Sequence, residues 1–333
     1  MSPRQLLRLG RLAACVFAES GFAGGFRRAR ARALRAGADR LGALSDRQLV
    51  AAETRRLTSK RQREVLGVNA ELRGRHRGER CFVLGAGASL TGQDLSRLTN
   101  ELVISVNEMF HYLPELGVRP AYLVVQDLAY FSRETPGCAF LEDLSAMTER
   151  TGCRAVLNIA GRAIVEALGH FRTASPYYVL SVGDLLAYRG GPPLPLDLSG
   201  AIPAMYSVTH LAVAVAMYLG CSEIYIAGVD LDYIAFPDEP IRHCYGTSRY
   251  VDHDRLSARS AYQRDKRADF PAMLRLCANE VESFALLAEQ ARRQGQTLIN
   301  LNDSGYLLGL PRRTFDELFP SREVDRRTGD RSA

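Results

Sequence analysis

The sequence lacks the features of a membrane-spanning, secreted or zinc-bound protein. No stretch of its 333 residues approaches the ~18 uncharged apolar residues of a membrane helix. Arg8 and Arg11 interrupt the apolar N-terminal run, and no convincing secretory cleavage site follows. The seven cysteines are scattered without a Cys-x-x-Cys pair, which argues against a disulfide framework or zinc site. We therefore expect a cytoplasmic globular protein with reduced thiols.

Lysine is almost missing, since only Lys60 and Lys266 occur, and we attribute the general richness in arginine to coding bias. The N-terminal charge is nevertheless uneven, because residues 1–36 carry eight arginines and one acid, Glu19. Two amphipathic helices are predicted at 3–17 and 26–41. They could pack on the core with solvated arginines, or lie on the anionic inner face of a membrane. Nucleic acid is not an expected partner, because aromatic residues are not interleaved with this charge.

The most informative motif is the apolar run of residues 81–84 followed by Gly85, Gly87 and Ser89. Glycines after a buried strand let a backbone approach a ligand closely and leave N–H groups free for an anion such as phosphate. The Gly-x-Gly-x-Ser spacing is neither the full dinucleotide fingerprint nor a P-loop. The motif therefore predicts a nucleotide or sugar-nucleotide site, and its alternative interpretation is a tight turn.

Periodicity predicts strands alternating with helices. The strands are predicted at 81–84, 102–106, 122–125, 155–158, 177–180, 223–227 and 297–301, and the main helices at 46–68, 207–219 and 273–294. This alternation indicates an α/β protein with one Rossmann-like parallel sheet. We assign residues 1–79 to a basic helical arm, 80–320 to the nucleotide-binding catalytic domain and 321–333 to a disordered tail.

Polar residues follow most of the predicted strands, and they are Asn107, Gln126, Asp127, Gly228, Asp230, Asp232 and Asn302. Parallel sheets bind ligands outside the carboxyl ends of their strands, so these residues predict one polar pocket. Asn, Asp and Gly are also ordinary turn residues, which is the alternative for any one of them. Carboxylates two apart, as in Asp230 and Asp232, could hold Mg²⁺ against a diphosphate.

Two histidines of the long polar loop after Asp230 are candidates for a general base, His243 and His253. Histidine titrates near neutral pH and suits deprotonation of an acceptor hydroxyl. We favour His243, which has Tyr245 two residues on. His210 lies within an apolar helix and is interpreted as a core residue.

Four blocks together resemble a known superfamily: residues 81–110, the helix–strand block of 207–233, His243-Cys-Tyr245, and the closing strand at 296–302. Over residues 80–303 the chain resembles the bacterial lipo-oligosaccharide sialyltransferases and the group that joins MptE-like pterin diphosphokinases with motility accessory factor glycosyltransferases. The resemblance implies that seven matching residues bind the nucleotide or support its loops: Gly85, Gly87, Ser89, Asn107, Gly228, Asp230 and Tyr233.

The sequence departs from the sialyltransferases at two points. Ala86 replaces an asparagine that contacts the nucleotide sugar in that family, and no histidine lies near residues 276–280, where the family has its base. His243 is therefore our candidate base, with Asp230 as a second catalytic candidate. Thr209 falls where the family has its Thr-Ser-Gly element, and Asp127 and Tyr245 complete the predicted binding residues.

Three functions are compatible with these residues. The favoured one is a glycosyltransferase that transfers sugar from a sugar nucleotide to a glycan or lipid-linked acceptor. A CMP-linked sugar is one candidate donor, and this reaction requires no cofactor. The second is an MptE-like diphosphokinase that passes diphosphate from ATP to a pterin-like alcohol and needs Mg²⁺. The third is a nucleotide- or glycan-binding protein without catalysis.

Overall fold

The fold is built on eight parallel strands in the order β6-β5-β4-β3-β2-β1-β7-β8. This computed structural model describes residues 47–48, 60–132, 137–235, 243–246, 248–250 and 270–320, without the side chains of 60–62 and 233. The strands are β1 Arg80–Leu84, β2 Leu102–Val106, β3 Tyr122–Val125, β4 Arg154–Asn158, β5 Tyr177–Val182, β6 Ala201–Pro203, β7 Glu223–Ala227 and β8 Thr297–Asn300. The predicted α/β class with one parallel sheet is confirmed.

Helices cover both faces of the sheet, as parallel sheets require. They are α1 Lys60–Gly67, α2 Met109–Tyr112, α3 Gly137–Thr151, α4 Arg162–Leu168, α5 Val208–Leu219, α6 Phe270–Arg293 and α7 Phe315–Leu318. Side chains alternate along β3: Tyr122 and Val124 join the core on the side of α5, whereas Leu123 and Val125 join the core on the side of α3. Both faces are therefore apolar.

Helix α5 is buried almost all round because it lies between the sheet and α6. Its small side chains, among them three buried alanines at 212, 214 and 216, allow this close packing. Ser207 caps its first turn, and Gly220 ends it in a left-handed conformation at φ +85°. The helix brings the chain across the sheet from β6, at one edge, to β7, which lies beside β1 near the other edge.

The segment before β1 belongs to the sheet domain. Leu66 and Leu72 are fully buried, and the Asn69 side-chain amide donates to the carbonyl oxygens of Tyr178 and Leu198 at 2.6 and 2.7 Å. Residues 60–79, which the sequence assigned to the arm, thus pack with the domain. Most of the predicted arm, including residues 1–36, and the predicted tail lie outside the described residues. No helix in the described ranges is long and apolar enough to cross a bilayer.

Candidate functional site

The strand order reverses between β1 and β7, and the loops that leave these two strands meet there. Strands β2 to β6 extend to one side of β1, whereas β7 and β8 extend to the other. In open α/β sheets the crevice at such a switch point, outside the carboxyl ends of the strands, is where ligands bind. Gly85 to Ser89 leave β1 at this point, and Gly228 to Asp230 leave β7. This crevice is the candidate site.

The glycine loop is bonded along its length to the loop after β7. The N–H of Gly85 donates to the Ala227 carbonyl, and the N–H of Gly87 donates to the Gly228 carbonyl, both at 2.8 Å. The Ser89 N–H donates to Asp230 Oδ2 at 3.0 Å. The expectation that these amides stay free for phosphate is therefore wrong, because all three are satisfied within the protein.

The same packing explains why glycine occupies positions 85 and 87. A Cβ atom on Gly85 would lie 2.3 Å from the Gly228 carbonyl oxygen, and one on Gly87 would lie 2.7 Å from that oxygen and from Asp230 Oδ2. The close approach is thus between two loops of the chain itself. A larger residue at 87 would therefore disturb the loop pair before it met any ligand.

Asp230 links the two loops. Its Oδ1 accepts a short hydrogen bond from the Ser89 hydroxyl, and its Oδ2 accepts from the Ser89 N–H. Asn302, which follows β8, holds the same loop from the other side, since its Oδ1 accepts from the Gly228 N–H at 2.8 Å and its Nδ2 donates to the Val229 carbonyl at 2.6 Å. Both carboxylate oxygens of Asp230 are therefore engaged by protein donors, which fits a structural link better than a metal ligand.

The possible metal site at Asp230 and Asp232 finds little support in this geometry. Asp232 begins a short 3₁₀ turn, Asp232–Ile234, after Leu231 in a left-handed conformation at φ +51°. The chain is therefore not extended here. The alternation of side chains along a strand, which would turn residues two apart to the same side, does not apply to these two carboxylates. Within the described residues, no group of three or more His, Cys, Asp and Glu side chains is arranged to hold a metal ion.

Two amide oxygens at the ends of β2 and β3, Asn107 Oδ1 and Gln126 Oε1, are buried and accept no hydrogen bond from the residues that the structure describes. Asn107 adopts a left-handed conformation at φ +46°, and its N–H donates to Val124 of β3 at 3.1 Å. Gln126 Nε2 donates to the Met205 carbonyl at 2.9 Å, which fixes its oxygen as an acceptor. Buried acceptors are normally satisfied, so this part of the crevice suits a ligand that carries hydroxyl or amine donors.

A short segment of the polar loop crosses the glycine loop, and we call its described residues, 243–246 and 248–250, the strap. His243 forms an antiparallel bridge with Gly87, and the Cys244 N–H donates to the Ala86 carbonyl at 2.9 Å. The rings of His243 and Tyr245 stack with centroids 5.1 Å apart. The structure therefore places His243 beside the glycine loop, next to the residues with which we predicted it would act.

Glu108 fastens the strap to the end of β2. It is only 2% exposed, and its carboxylate accepts from the Ser248 hydroxyl, from the Arg249 N–H at 2.9 Å and from the Tyr130 hydroxyl at 3.2 Å. Three donors offset part of the free energy that burial of a carboxylate costs. Glu108 is not among the residues predicted from sequence, and the only local indication of a role in the site is its place directly after Asn107.

A cavity of about 250 Å³ lies beside the strap, lined by Glu108, His111, Tyr112, Glu115, Cys244, Tyr245 and Arg249. Burial, with a smaller contribution from Arg249, lowers the pKa of His111, so this imidazole is neutral at neutral pH. Burial, followed by the nearby Glu108, raises the pKa of Tyr245, so its hydroxyl keeps its proton and can donate a hydrogen bond. The cavity thus combines carboxylates, one guanidinium and phenol donors.

Three other predicted residues, Asp127, Thr209 and Tyr233, lie at the same end of the sheet. Asp127 is exposed and caps the turn after β3 by accepting from the Ala129 N–H at 3.0 Å. Thr209 is buried in the first turn of α5. Tyr233 lies in the turn after β7, and its side chain is outside the described part of the chain.

His210 is a core residue, as the sequence suggested. It is fully buried, its Nδ1 accepts from the Ser207 N–H at 3.1 Å, and its Nε2 lies 3.0 Å from the Glu280 carbonyl. Nε2 therefore carries the proton, and the side chain completes the capping box of α5. Burial lowers the pKa of His210 to about 4, so the ring is neutral.

The fold and the crevice define a doubly wound α/β protein with a candidate ligand site at its switch point. A family model described as "6-hydroxymethylpterin diphosphokinase MptE-like" matches residues 60–235. The chain belongs to this MptE-like family, as its motifs indicated. The matched region contains the glycine loop, Asn107, Glu108 and Asp230, whereas the strap, α6 and β8 follow it.

Comparison with solved structures finds a motility accessory factor glycosyltransferase from Magnetospirillum magneticum AMB-1. It shares 16% sequence identity at a TM-score of 0.37, and the similarity covers 75% of this chain and 38% of that one. The chain thus spans well under half the length of that enzyme. None of the curated proteins compared with this sequence matches it.

Proposed function

We propose that this chain is a glycosyltransferase that binds a sugar nucleotide in the crevice between β1 and β7 and transfers its sugar to a glycan or glycolipid. The observation that supports the proposal is the meeting of the linked loops and the strap at the switch point, with the two unsatisfied amide oxygens at the ends of the next strands, β2 and β3. Sugar hydroxyls and the amine of a nucleobase are donors that suit Asn107 Oδ1 and Gln126 Oε1.

In the proposed reaction His243 acts as the general base. It takes the proton of the acceptor hydroxyl, whose oxygen forms the new bond to the anomeric carbon, and the bond from that carbon to the nucleotide phosphate breaks with its electron pair passing to the phosphate oxygen. Tyr245 stacks on His243 and keeps its proton, so it can donate to the leaving phosphate. The engagement of Asp230 by Ser89 favours a reaction that does not rely on this carboxylate as a metal ligand.

A diphosphokinase is the second candidate, and the family match favours it, since the family model is named for such an enzyme. It would bind ATP in the same crevice and would need Mg²⁺ to neutralise the transferred diphosphate. The two candidates therefore differ in nucleotide and in metal dependence, and a direct comparison of ligands can separate them.

The test is thermal unfolding with CMP-, UDP- and GDP-sugars and ATP, each with and without Mg²⁺. A ligand at 100 times its Kd stabilises the protein by about 2.7 kcal/mol. Stabilisation by a sugar nucleotide without metal is the expected result. Stabilisation by ATP with Mg²⁺ alone would favour the diphosphokinase, and no shift with any of them would contradict both enzymes and leave the non-catalytic alternative.

The same experiment includes a variant of the base. His243→Ala should bind the stabilising nucleotide nearly as well as the unaltered protein but turn over ~10²–10⁴ times more slowly. His170→Ala is the matched control, because His170 follows α4 at the opposite end of the sheet. Equal turnover in the two variants would remove His243 from the mechanism.

A further inference from the structure

The strap is fixed to the sheet domain at three places. At its start the Cys244 N–H donates to the Ala86 carbonyl. In its second half Ser248 and Arg249 donate to the Glu108 carboxylate. At its end the Tyr250 hydroxyl donates to Asp143 Oδ2. The strap therefore connects the glycine loop after β1 with the residues after β2 and with helix α3.

The third attachment is a packed side-chain contact. The Tyr250 hydroxyl also makes a short hydrogen bond with His111 Nε2. Because its one proton goes to Asp143, the hydrogen of this second bond comes from Nε2 of His111. The rings of Phe110 and Phe140 lie within 6.5 and 5.4 Å of the Tyr250 ring, measured between centroids. This end of the strap is held by apolar packing as well as by hydrogen bonds.

The middle attachment differs, because it depends on one buried carboxylate. An apolar side chain of similar size could fill the position of Glu108, and such replacements of buried charges are often neutral or stabilising. A carboxylate is the group that can receive donors at both oxygens, and here Oε1 receives the Ser248 hydroxyl while Oε2 receives the Arg249 N–H. The Glu108 carboxylate is therefore explained by its hydrogen bonds to the strap rather than by apolar packing in the core.

The position of Glu108 in the chain ties the strap to the candidate site. It follows Asn107, whose unsatisfied oxygen lies at the end of β2, and β2 pairs with β1 so that Ser105 lies beside Leu84. A shift of the strap at Glu108 would therefore act on the bridge between His243 and Gly87. We propose that Glu108 is a positioning residue that holds His243 and Tyr245 in register with the glycine loop.

The catalytic part of this inference rests on the proposed function, whereas the structural part does not. Hydrogen exchange of the peptide that contains residues 243–250, followed by mass spectrometry, measures the structural part in the full-length chain. Glu108→Ala should raise the exchange rate of this peptide about ten- to a hundredfold, as expected for the loss of hydrogen bonds to a charged group. Glu108→Gln should give an intermediate rate, because its amide group keeps one acceptor oxygen.

The catalytic part is measured with the sugar nucleotide that stabilises the protein. Glu108→Ala should lower kcat about tenfold or more while KM for the nucleotide changes little, since the nucleotide does not bind through Glu108 and only the placement of the base is affected. Glu108→Gln should recover part of the loss. Glu142→Ala is the matched control for both measurements, because Glu142 is an exposed residue of α3 beside Asp143.

Each result decides a separate question. Unchanged exchange in Glu108→Ala overturns the inference whatever the enzyme does, and faster exchange with unchanged kcat overturns the catalytic part alone. A wild-type protein that turns over none of the nucleotides contradicts the proposed function, while the exchange data still show whether Glu108 holds the strap. If Glu108→Ala does not fold, Ser248→Ala removes one of the same hydrogen bonds from the strap side, and the same outcomes apply to it.

Discussion

Removing the Asp230 carboxylate should uncouple the two loops of the site. Asp230→Ala deletes the acceptors of the Ser89 N–H and of the Ser89 hydroxyl. Hydrogen bonds to a charged group contribute about 1.5–3 kcal/mol each, and the half-exposed position of Asp230 places these two near the low end, so the loss should total about 2–4 kcal/mol. The midpoint of thermal unfolding should fall by roughly 5–10 °C.

Two further variants give this prediction its control. Asp303→Ala removes an exposed carboxylate from the neighbouring loop after β8, and such surface changes usually stay within about 0.5 kcal/mol. Asp230→Asn keeps one acceptor oxygen and should lose about half as much stability as Asp230→Ala. Equal stability of Asp230→Ala and Asp303→Ala would refute the reasoning.

Turnover separates a structural role of Asp230 from a chemical one. If Asp230 acts by linking the loops, Asp230→Asn should lose activity in proportion to its loss of stability. A fall of more than about a thousandfold in kcat, with near wild-type stability, would instead identify the carboxylate as a participant in the chemistry and would show that its engagement by Ser89 is incidental.

Two further predictions concern the buried histidine of α5 and a glycine of the glycine loop. Burial lowers the pKa of His210 to about 4. Between that value and about pH 6.5 the unfolded chain binds a proton at this histidine while the folded chain does not. The free energy of unfolding should therefore be full above about pH 6.5 and fall by about 2 kcal/mol by pH 5. His210→Gln keeps the capping acceptor, and urea unfolding at pH 7.5 and 5 should show a smaller fall; the same fall in both proteins would contradict this origin. Gly87→Ala should unfold at a lower urea concentration even without nucleotide, because its Cβ would lie 2.7 Å from the Gly228 carbonyl oxygen. Gly92→Ala is the control, because a Cβ at that position meets nothing within 4 Å. Equal unfolding midpoints of the two variants would contradict the prediction.

The strands inside the sheet could be predicted from sequence because their apolar runs are continuous and end in polar residues. The predicted bounds of β2, β3 and β7 agree with the structure, since strands buried on both faces carry the plainest pattern. Strand β6 was missed because it has three residues, includes Pro203 and lies at one end of the sheet. Helix α3 was missed although Phe140, Leu141 and Leu144 lie at helical spacing, because most of its other side chains are polar.

The site was harder to predict than the fold, because its contacts join distant parts of the chain. The rule for parallel sheets located the end of the sheet and most of the residues near it. It could not show that Gly85 and Gly87 approach the Gly228 carbonyl oxygen rather than a phosphate. It also could not find Glu108, whose importance comes from donors 140 and 141 residues away.

Strand β8 and Asn302 have a consequence for any attempt to work with a shorter piece of this chain. The family match ends at residue 235, yet β8 pairs along β7 from Glu223 to Ile226. A fragment cut at residue 235 would expose on β7 a row of unpaired N–H and C=O groups, flanked by the buried apolar side chains of Ile224 and Ile226. Exposed strands of this kind recruit other chains. Such a fragment should self-associate, so the smallest soluble piece must extend past Asn302.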